Sequence, residues 1–304
     1  MRGKKVLAAL LAGSFLFSVA GCSKITSVNI DDFENAWVEA DADEMSFEEL
    51  DELDSGSMES QLEDGFYYRF EPGDLQYSNM VFPLLKMYHL DLNLDMVDIE
   101  EICVGAKVDT NLYDLDLESP SELEDLTLDG AAGIQITLED PVDIDEFADG
   151  IEDMLDTVDV DVEELSSSEY RQTKNGLSLI LRVSLQELAQ DALDAGLIDA
   201  ASARATSSEE AGELEEALEN LEGDVYLYVV AQDVNIVILA GLSVNEPTEV
   251  LSAFTGAFGF TDPEDVDPNT AVAEAIADSY MDRLSGTLAM LETMEDSSDY
   301  SDDW

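Results

Sequence analysis

Two apolar runs late in the chain constrain the fold most. They span Asp224–Ala231 and Val234–Gly241, and each carries apolar residues at both odd and even positions. Because successive side chains point to opposite sides of a strand, both sides of each run must be buried. The runs are joined near Gln232-Asp233, which leaves room for a short connection only. The pattern predicts two central strands in an α+β protein, with helices over one or both faces of the sheet.

Two dipeptides predict tight hairpins elsewhere in the chain. Asp64-Gly65 and Asn175-Gly176 are typical of two-residue turns, and each is flanked by strand-like sequence. The first turn would join residues 58–63 to 66–71, and the second would join 169–174 to 177–183. We therefore expect antiparallel strands in both halves of the chain.

The two hairpin motifs follow similar sequences. Val28–Phe33 resembles Val142–Phe147, and Phe47–Leu50 resembles Val162–Leu165. Three markers in the same order indicate a tandem duplication of one module. The alternative is chance, because acidic sequence of low diversity readily matches itself.

Helical stripes complete the predicted organisation. Val250, Phe254 and Phe258 form one stripe, and a second begins after Asp267-Pro268, with proline in the first turn. The predicted divisions are a leader at 1–21, a tether at 22–28, an α+β module at 29–140, a related α+β module at 141–245, C-terminal helices at 246–294 and an acidic tail at 295–304.

The first 22 residues have the features of a secretory signal. Arg2, Lys4 and Lys5 precede an apolar or small-residue run at 6–19, and the segment ends in Val19-Ala20-Gly21-Cys22. The run is short for a membrane span, which takes about 20 residues. Its ending resembles the lipobox of bacterial lipoproteins. That resemblance covers the leader and Cys22 only, and it implies cleavage before Cys22, a diacylglyceryl thioether on its sulfur and display outside the cytoplasmic membrane.

The chain is strongly acidic, with 72 Asp and Glu against 12 Lys and Arg and a net charge of −60. Loss of Arg2, Lys4 and Lys5 with the leader would leave nine basic residues and a net charge of −63. Such a surface repels nucleic acid, so we expect no nucleic-acid partner. The hydrophobic content of 45% indicates real cores. We interpret the charge as a device for solubility or adaptation to salt, with weak binding of divalent cations as the functional alternative.

One segment resembles a calcium loop. Asp91-Leu92-Asn93-Leu94-Asp95 has the alternating oxygens that begin an EF-hand loop, but Met96 stands where glycine is required and Ile102 where glutamate is required. The alternation also fits a strand edge. The aspartates within 156–161 and 262–267 form weaker groups of the same kind. We therefore predict no specific metal site.

Groups suited to catalysis are scarce. His89 is the single histidine, and Cys103 is the single thiol after Cys22, which disfavours zinc and a cysteine nucleophile. Ile102-Cys103-Val104 is strand-like, so we expect Cys103 to be buried. Tyr67 could stack on a sugar, although packing in the sheet is the interpretation we favour. The sequence predicts no catalytic or cofactor residues.

These observations favour a non-enzymatic, strongly acidic lipoprotein, anchored to the membrane through lipid on Cys22. It would act outside the cell membrane as a binding or scaffold module for a protein or glycan that the sequence does not identify. One alternative is an extracytoplasmic hydrolase that uses two carboxylates on glycans, since acidic pairs are abundant. Another is an adhesion module that responds to cations.

Overall fold

A computed structural model describes residues 30–46, 49, 55–70, 99–112, 115, 125–194, 212, 216–217 and 220–279. Its helices and strands are α1 (Ile30–Glu39), β1 (Asp43–Glu44), α2 (Ser55–Asp64), β2 (Phe66–Phe70), β3 (Ile99–Thr110), β4 (Leu128–Leu138), α3 (Ile144–Asp156), β5 (Tyr170–Thr173), β6 (Gly176–Ser184), α4 (Leu185–Asp194), β7 (Gly223–Gln232), β8 (Asn235–Val244) and α5 (Glu249–Phe258). Helix α6 begins at residue 270 and is described to residue 279. The predicted α+β class is confirmed.

The described strands form one eight-stranded open sheet in the order β1-β2-β3-β4-β8-β7-β6-β5. β1 pairs with β2 in parallel, and every other neighbouring pair is antiparallel. At the centre, β4 pairs with β8 from Leu128 opposite Val244 to Thr137 opposite Asn235. The two predicted modules thus supply β1–β4 and β5–β8 to a single sheet.

The prediction of two central strands is confirmed. β7 and β8 lie inside the sheet and connect through the turn at 233–234. In β8, Ile236 and Ile238 point to the face that α3 and α6 cover, whereas Val237 and Leu239 point to the face that α1 and α5 cover. We call these the α3–α6 face and the α1–α5 face. All four side chains are buried, which is why this part of the strand is apolar on both sides.

Helix α3 covers the α3–α6 face. The Asp143 carboxylate caps it by accepting hydrogen bonds from the amides of Asp145 and Glu146. Its apolar stripe includes Phe147 and Ile151, which pack with residues of β4, β6, β7 and β8. The apolar start of α6 joins the same cluster, and α4 contributes to a smaller third cluster beside it.

Two aromatic residues hold α1 against the α1–α5 face. The Trp37 ring lies 4.0 Å, centroid to centroid, from that of Phe254 in α5, and the Phe33 ring stacks on Phe258 at 5.6 Å. Trp37 also lies directly over Gly105, where a Cβ atom would come within 2.8 Å of three indole atoms. The absence of a side chain at this position of β3 lets the helix approach the sheet closely.

The first predicted hairpin is wrong, because residues 55–64 form helix α2 and not a strand. Gly65 adopts φ +83° directly after the helix, and its amide donates to the carbonyl of Gln61. A glycine with left-handed backbone is a common way to end a helix, so Asp64-Gly65 fits a helix end as well as a turn. The second hairpin is confirmed, but its two-residue turn lies at 174–175, one residue earlier than predicted, because Gly176 already pairs with Thr173.

The proposed repeat places its matching helices differently. The apolar spacing of α1 matches that of α3, yet α1 packs on the α1–α5 face and α3 packs on the opposite face. The duplication therefore remains a prediction, and the divisions at 140/141 and 245/246 fall in turns of the described chain.

The close contact at Gly105 gives a test of the packing. We expect Gly105→Ala to lower the free energy of unfolding by about 1–3 kcal/mol, because the new methyl group overlaps the Trp37 ring. Gly256→Ala is the matched control, since no atom lies within 4 Å of its added Cβ and alanine favours the helix. Urea denaturation of both variants measures the difference. Equal effects at the two positions would contradict the close approach of α1.

Candidate functional site

Several predicted positions lie outside the described residues. They are the lipidation residue Cys22, the calcium-like segment 91–95 and His89. The described chain begins with α1 at Ile30, eight residues after Cys22. The lipidation of Cys22 therefore stays a prediction from its motif.

Cys103 is buried in β3 as expected, with no exposed surface. Burial raises the pKa of its thiol to about 12, and the nearby Glu34 carboxylate adds to the rise. A thiol with such a pKa is protonated at neutral pH, and the thiolate is the reactive form. Cys103 therefore acts as a small apolar side chain. Tyr67, the candidate for sugar stacking, is also buried, and it packs on the α1–α5 face.

One aspartate of each weaker group has a structural role in the backbone. The Asp161 carboxylate accepts the amide of Glu163 at 2.8 Å, and that of Asp262 accepts the amide of Glu264 at 3.1 Å. Each aspartate caps a 3₁₀-helix. Within the described ranges, no group of three or more His, Cys, Asp and Glu side chains is placed to hold a metal ion.

The most connected polar group of the described chain is Arg69, in β2. Its guanidinium donates two hydrogen bonds to the Glu101 carboxylate in β3, one of them at 2.9 Å. It also contacts Glu34 at 2.6 Å and Asp31 at 3.1 Å, both in α1. The hydrogen bonds with Glu101 are the main cause of the raised pKa of Arg69. One cation thus joins α1 to two strands, and the cluster keeps an excess of two negative charges.

Lys107 and Arg182 each bind a backbone carbonyl, and Arg182 also binds a carboxylate. The Lys107 ammonium donates to the carbonyl of Ala40, just after α1, at 2.6 Å. Arg182 donates to the carbonyl of Val266 at 2.7 Å and to the Asp224 carboxylate at 2.8 Å. Lys107 thereby satisfies a carbonyl at the end of α1, where a positive charge is also favoured by the helix dipole. Arg182 ties the segment between α5 and α6 to the sheet.

The binding of cations within the fold affects the charge of the surface. The described residues contain five Lys and Arg side chains, and three of them, Arg69, Lys107 and Arg182, bind carboxylates or carbonyls of the fold. Arg171 and Lys174 are exposed, beside the loop of the β5–β6 hairpin. The other exposed charged side chains of the described residues are carboxylates. Such a surface attracts cations and basic groups and repels anions.

Asp129 is the most deeply buried carboxylate of the described chain, with 8% of its surface exposed. It projects from β4, and its Oδ2 accepts the amide of Val250 at 2.8 Å. Thr248 makes no side-chain cap to α5, so Asp129 supplies that cap from another strand. Its Oδ1 has no hydrogen-bond partner. Burial raises its pKa to about 6, against the opposing effect of the Val250 amide.

Sequence reasoning did not single out these polar contacts. Arg182 lies in a segment that otherwise reads as apolar strand, and a charged residue in such a segment is the available signal. Asp129 carries no such signal, because it ends an acidic stretch that reads as a loop. Their partners are distant in sequence: 84 residues separate Arg182 from Val266, and 121 separate Asp129 from Val250. Only the tertiary fold brings these pairs together.

Comparisons with protein-family models, curated proteins and solved structures found no match for this chain. None of the helices in the described part of the chain is both long and apolar enough to cross a membrane.

The Arg69 cluster can be tested by removing its cation. Arg69→Met leaves Glu101 and Glu34 partly buried without their partner, so we expect a loss of about 1–3 kcal/mol in the free energy of unfolding. Arg171→Met changes the net charge equally at an exposed position, where a change within about 0.5 kcal/mol is expected. Urea denaturation of both proteins in the same buffer gives the comparison. An equal loss in the two variants would mean that net charge, and not the cluster, matters.

The burial of Asp129 predicts that its effect on the free energy of unfolding depends on pH. The pKa of Asp129 is about 6 in the folded protein, above the usual 3.8, so the fold favours the protonated carboxyl group. The stability that comes from this preference is lost as pH rises through 6. Asp129→Asn removes the buried charge, and we expect a gain of about 2–3 kcal/mol at pH 8 that falls to about half at pH 5. Urea unfolding of variant and parent at each pH measures the gain.

Asp140→Asn removes an exposed carboxylate from the turn after β4, at the other end of that strand from Asp129, and it controls for net charge. If Asp129→Asn raised the free energy of unfolding equally at pH 5 and pH 8, the pKa of Asp129 would not lie in this range in the folded protein.

Proposed function

We propose that this chain is an acidic lipoprotein held on the outer side of the cytoplasmic membrane by lipid on Cys22, and that its folded part is a non-enzymatic binding or scaffold module. The observation that carries the proposal is the sequence Val19-Ala20-Gly21-Cys22 after an apolar leader. Two acyl chains give stable attachment, whereas one gives marginal attachment. A diacylglyceryl group would therefore anchor the chain without any further membrane-binding surface.

Two structural features support this location. Cys103 is fully buried, so an oxidising compartment would find no accessible thiol on the described part of the chain. The core is built by apolar packing on both faces of one sheet, which requires no disulfide. Both features suit a protein that works outside the cytoplasm with a single internal cysteine.

The lipid is tested by mass spectrometry of the full chain expressed in a bacterium. We expect an N-terminal fragment that begins at Cys22 and carries a diacylglyceryl mass, together with recovery of the protein in the detergent phase of a phase-separation assay. Cys22→Ser should lose the lipid mass, because an alcohol does not replace the thiol in the thioether. Cys103→Ala removes the other thiol and should leave the lipid in place. An unmodified Cys22 in the parent protein would refute the proposal.

A second candidate, a module that responds to cations, is favoured by the distribution of charge. Three of the five described cations bind carboxylates or carbonyls of the fold, so few basic side chains remain for the exposed carboxylates of the described residues. Divalent cations would relieve their mutual repulsion. Titration calorimetry and thermal unfolding with calcium test this candidate, and the absence of both heat and a shift in melting temperature would remove it.

A further inference from the structure

The direction of α1 determines which end of the sheet lies nearest to the proposed anchor. Asp31, in its first turn, contacts Arg69 near the end of β2. The carbonyl of Ala40, after its last turn, accepts from Lys107, further along β3. Since β2 is antiparallel to β3, α1 runs along the strands and begins at the end of the sheet where β3 begins.

Antiparallel pairing brings other turns to the same end. The amides of Leu138 and Val142 donate to the carbonyls of Val234 and Asp233, which joins the turn after β4 to the turn between β7 and β8. The β5–β6 loop at 174–175 also lies there, because Gly176 pairs with Gln232. We call this the proximal end. Among the described residues at this end, Glu100, Glu139, Asp140 and Asp233 are exposed carboxylates and Lys174 is an exposed ammonium, whereas Asp31 is paired with Arg69.

Chain length limits how the domain can stand on a membrane. Seven residues lie between Cys22 and Ile30, and the eight Cα-to-Cα steps of a fully extended chain span about 28 Å. β3 has 12 residues, and its length is about 37 Å. The tether is therefore too short to run the length of the sheet and place the opposite end on the bilayer.

We infer that the proximal end faces the bilayer and that its carboxylates hold the domain away from anionic lipid, at a distance that cations reduce. The inference rests on the proposed lipidation of Cys22. Four exposed carboxylates against one ammonium give the described part of this end a net negative charge, which anionic head groups repel. The repulsion acts over about 8 Å at physiological ionic strength, so it is felt only by the end that the tether keeps close.

Energy transfer to a labelled bilayer tests the orientation. The mature chain, which begins at Cys22, is condensed with an aldehyde-bearing lipid, and this reaction consumes the amino and thiol groups of the N-terminal cysteine. A donor dye is then attached at Asp140→Cys, on the proximal end, or at Glu246→Cys, on the opposite end. Each substitution removes one exposed carboxylate, and buried Cys103 is not labelled. The acceptor dye is carried by the vesicle lipids.

We expect several-fold more transfer from Asp140→Cys than from Glu246→Cys. Transfer from Asp140→Cys should be lower on vesicles with phosphatidylglycerol than on pure phosphatidylcholine, and millimolar calcium should reduce this difference. Equal transfer from the two positions, or more from Glu246→Cys, would overturn the orientation. No difference between the two lipids would overturn the repulsion.

A matched pair of neutralised variants tests which carboxylates are responsible. The proximal variant combines Glu100→Gln, Glu139→Gln and Asp233→Asn, and the opposite variant combines Asp109→Asn, Asp125→Asn and Glu222→Gln. Only the proximal variant should reduce the difference between the lipids, and an equal reduction in both would assign the effect to net charge. Because the lipid is attached chemically, these results do not depend on whether a cell lipidates Cys22.

Discussion

Repulsion among carboxylates is the constraint that the rest of this structure accommodates. With 72 acidic and 12 basic residues, ion pairing cannot neutralise the chain, so apolar burial has to outweigh the self-repulsion of the folded state. The sheet meets this requirement by burying both of its faces under helices. Strands such as β7 and β8 then carry no solvent-facing side, and nearly every side chain contributes apolar surface.

The few cations act where apolar packing alone leaves polar groups inside the fold. Arg69 binds three carboxylates that α1 and β3 bring together, and Lys107 satisfies a carbonyl at the other end of the same helix. Trp37 packs over Gly105 between these two contacts. Helix α1 is thus fixed at its start, middle and end. This matters for the proposed anchor, because α1 is the first described element after Cys22. Its fixed position on the sheet determines where the tether joins the folded domain.

The sequence predicted the features that depend on local pattern. The strands at β7 and β8 follow from uninterrupted apolar runs, and the β5–β6 hairpin follows from Asn175-Gly176 beside alternating residues. The same reasoning failed at Asp64-Gly65, because a glycine with positive φ ends a helix as readily as it forms a hairpin turn. The polar contacts of Arg182 and Asp129 were beyond sequence reasoning, since each partner is far away in the chain and its side of the sheet is set by tertiary packing. Cys22 is the opposite case, because its motif is local and the prediction of lipidation requires no knowledge of the fold.

The edges of the sheet limit how a partner can bind. β1 has two residues, Asp43 and Glu44, both exposed, and β5 has four. The amide of Tyr170 in β5 already donates to the carbonyl of Ser166, so little of this edge is open to an added strand. Short, charged edges disfavour strand addition, and between chains of this net charge repulsion disfavours it further. A partner of the described region therefore meets side chains, and since Arg69, Lys107 and Arg182 bind internal groups, most of the charged side chains that it meets are carboxylates. By its charge alone, such a surface attracts basic groups and cations and repels anions.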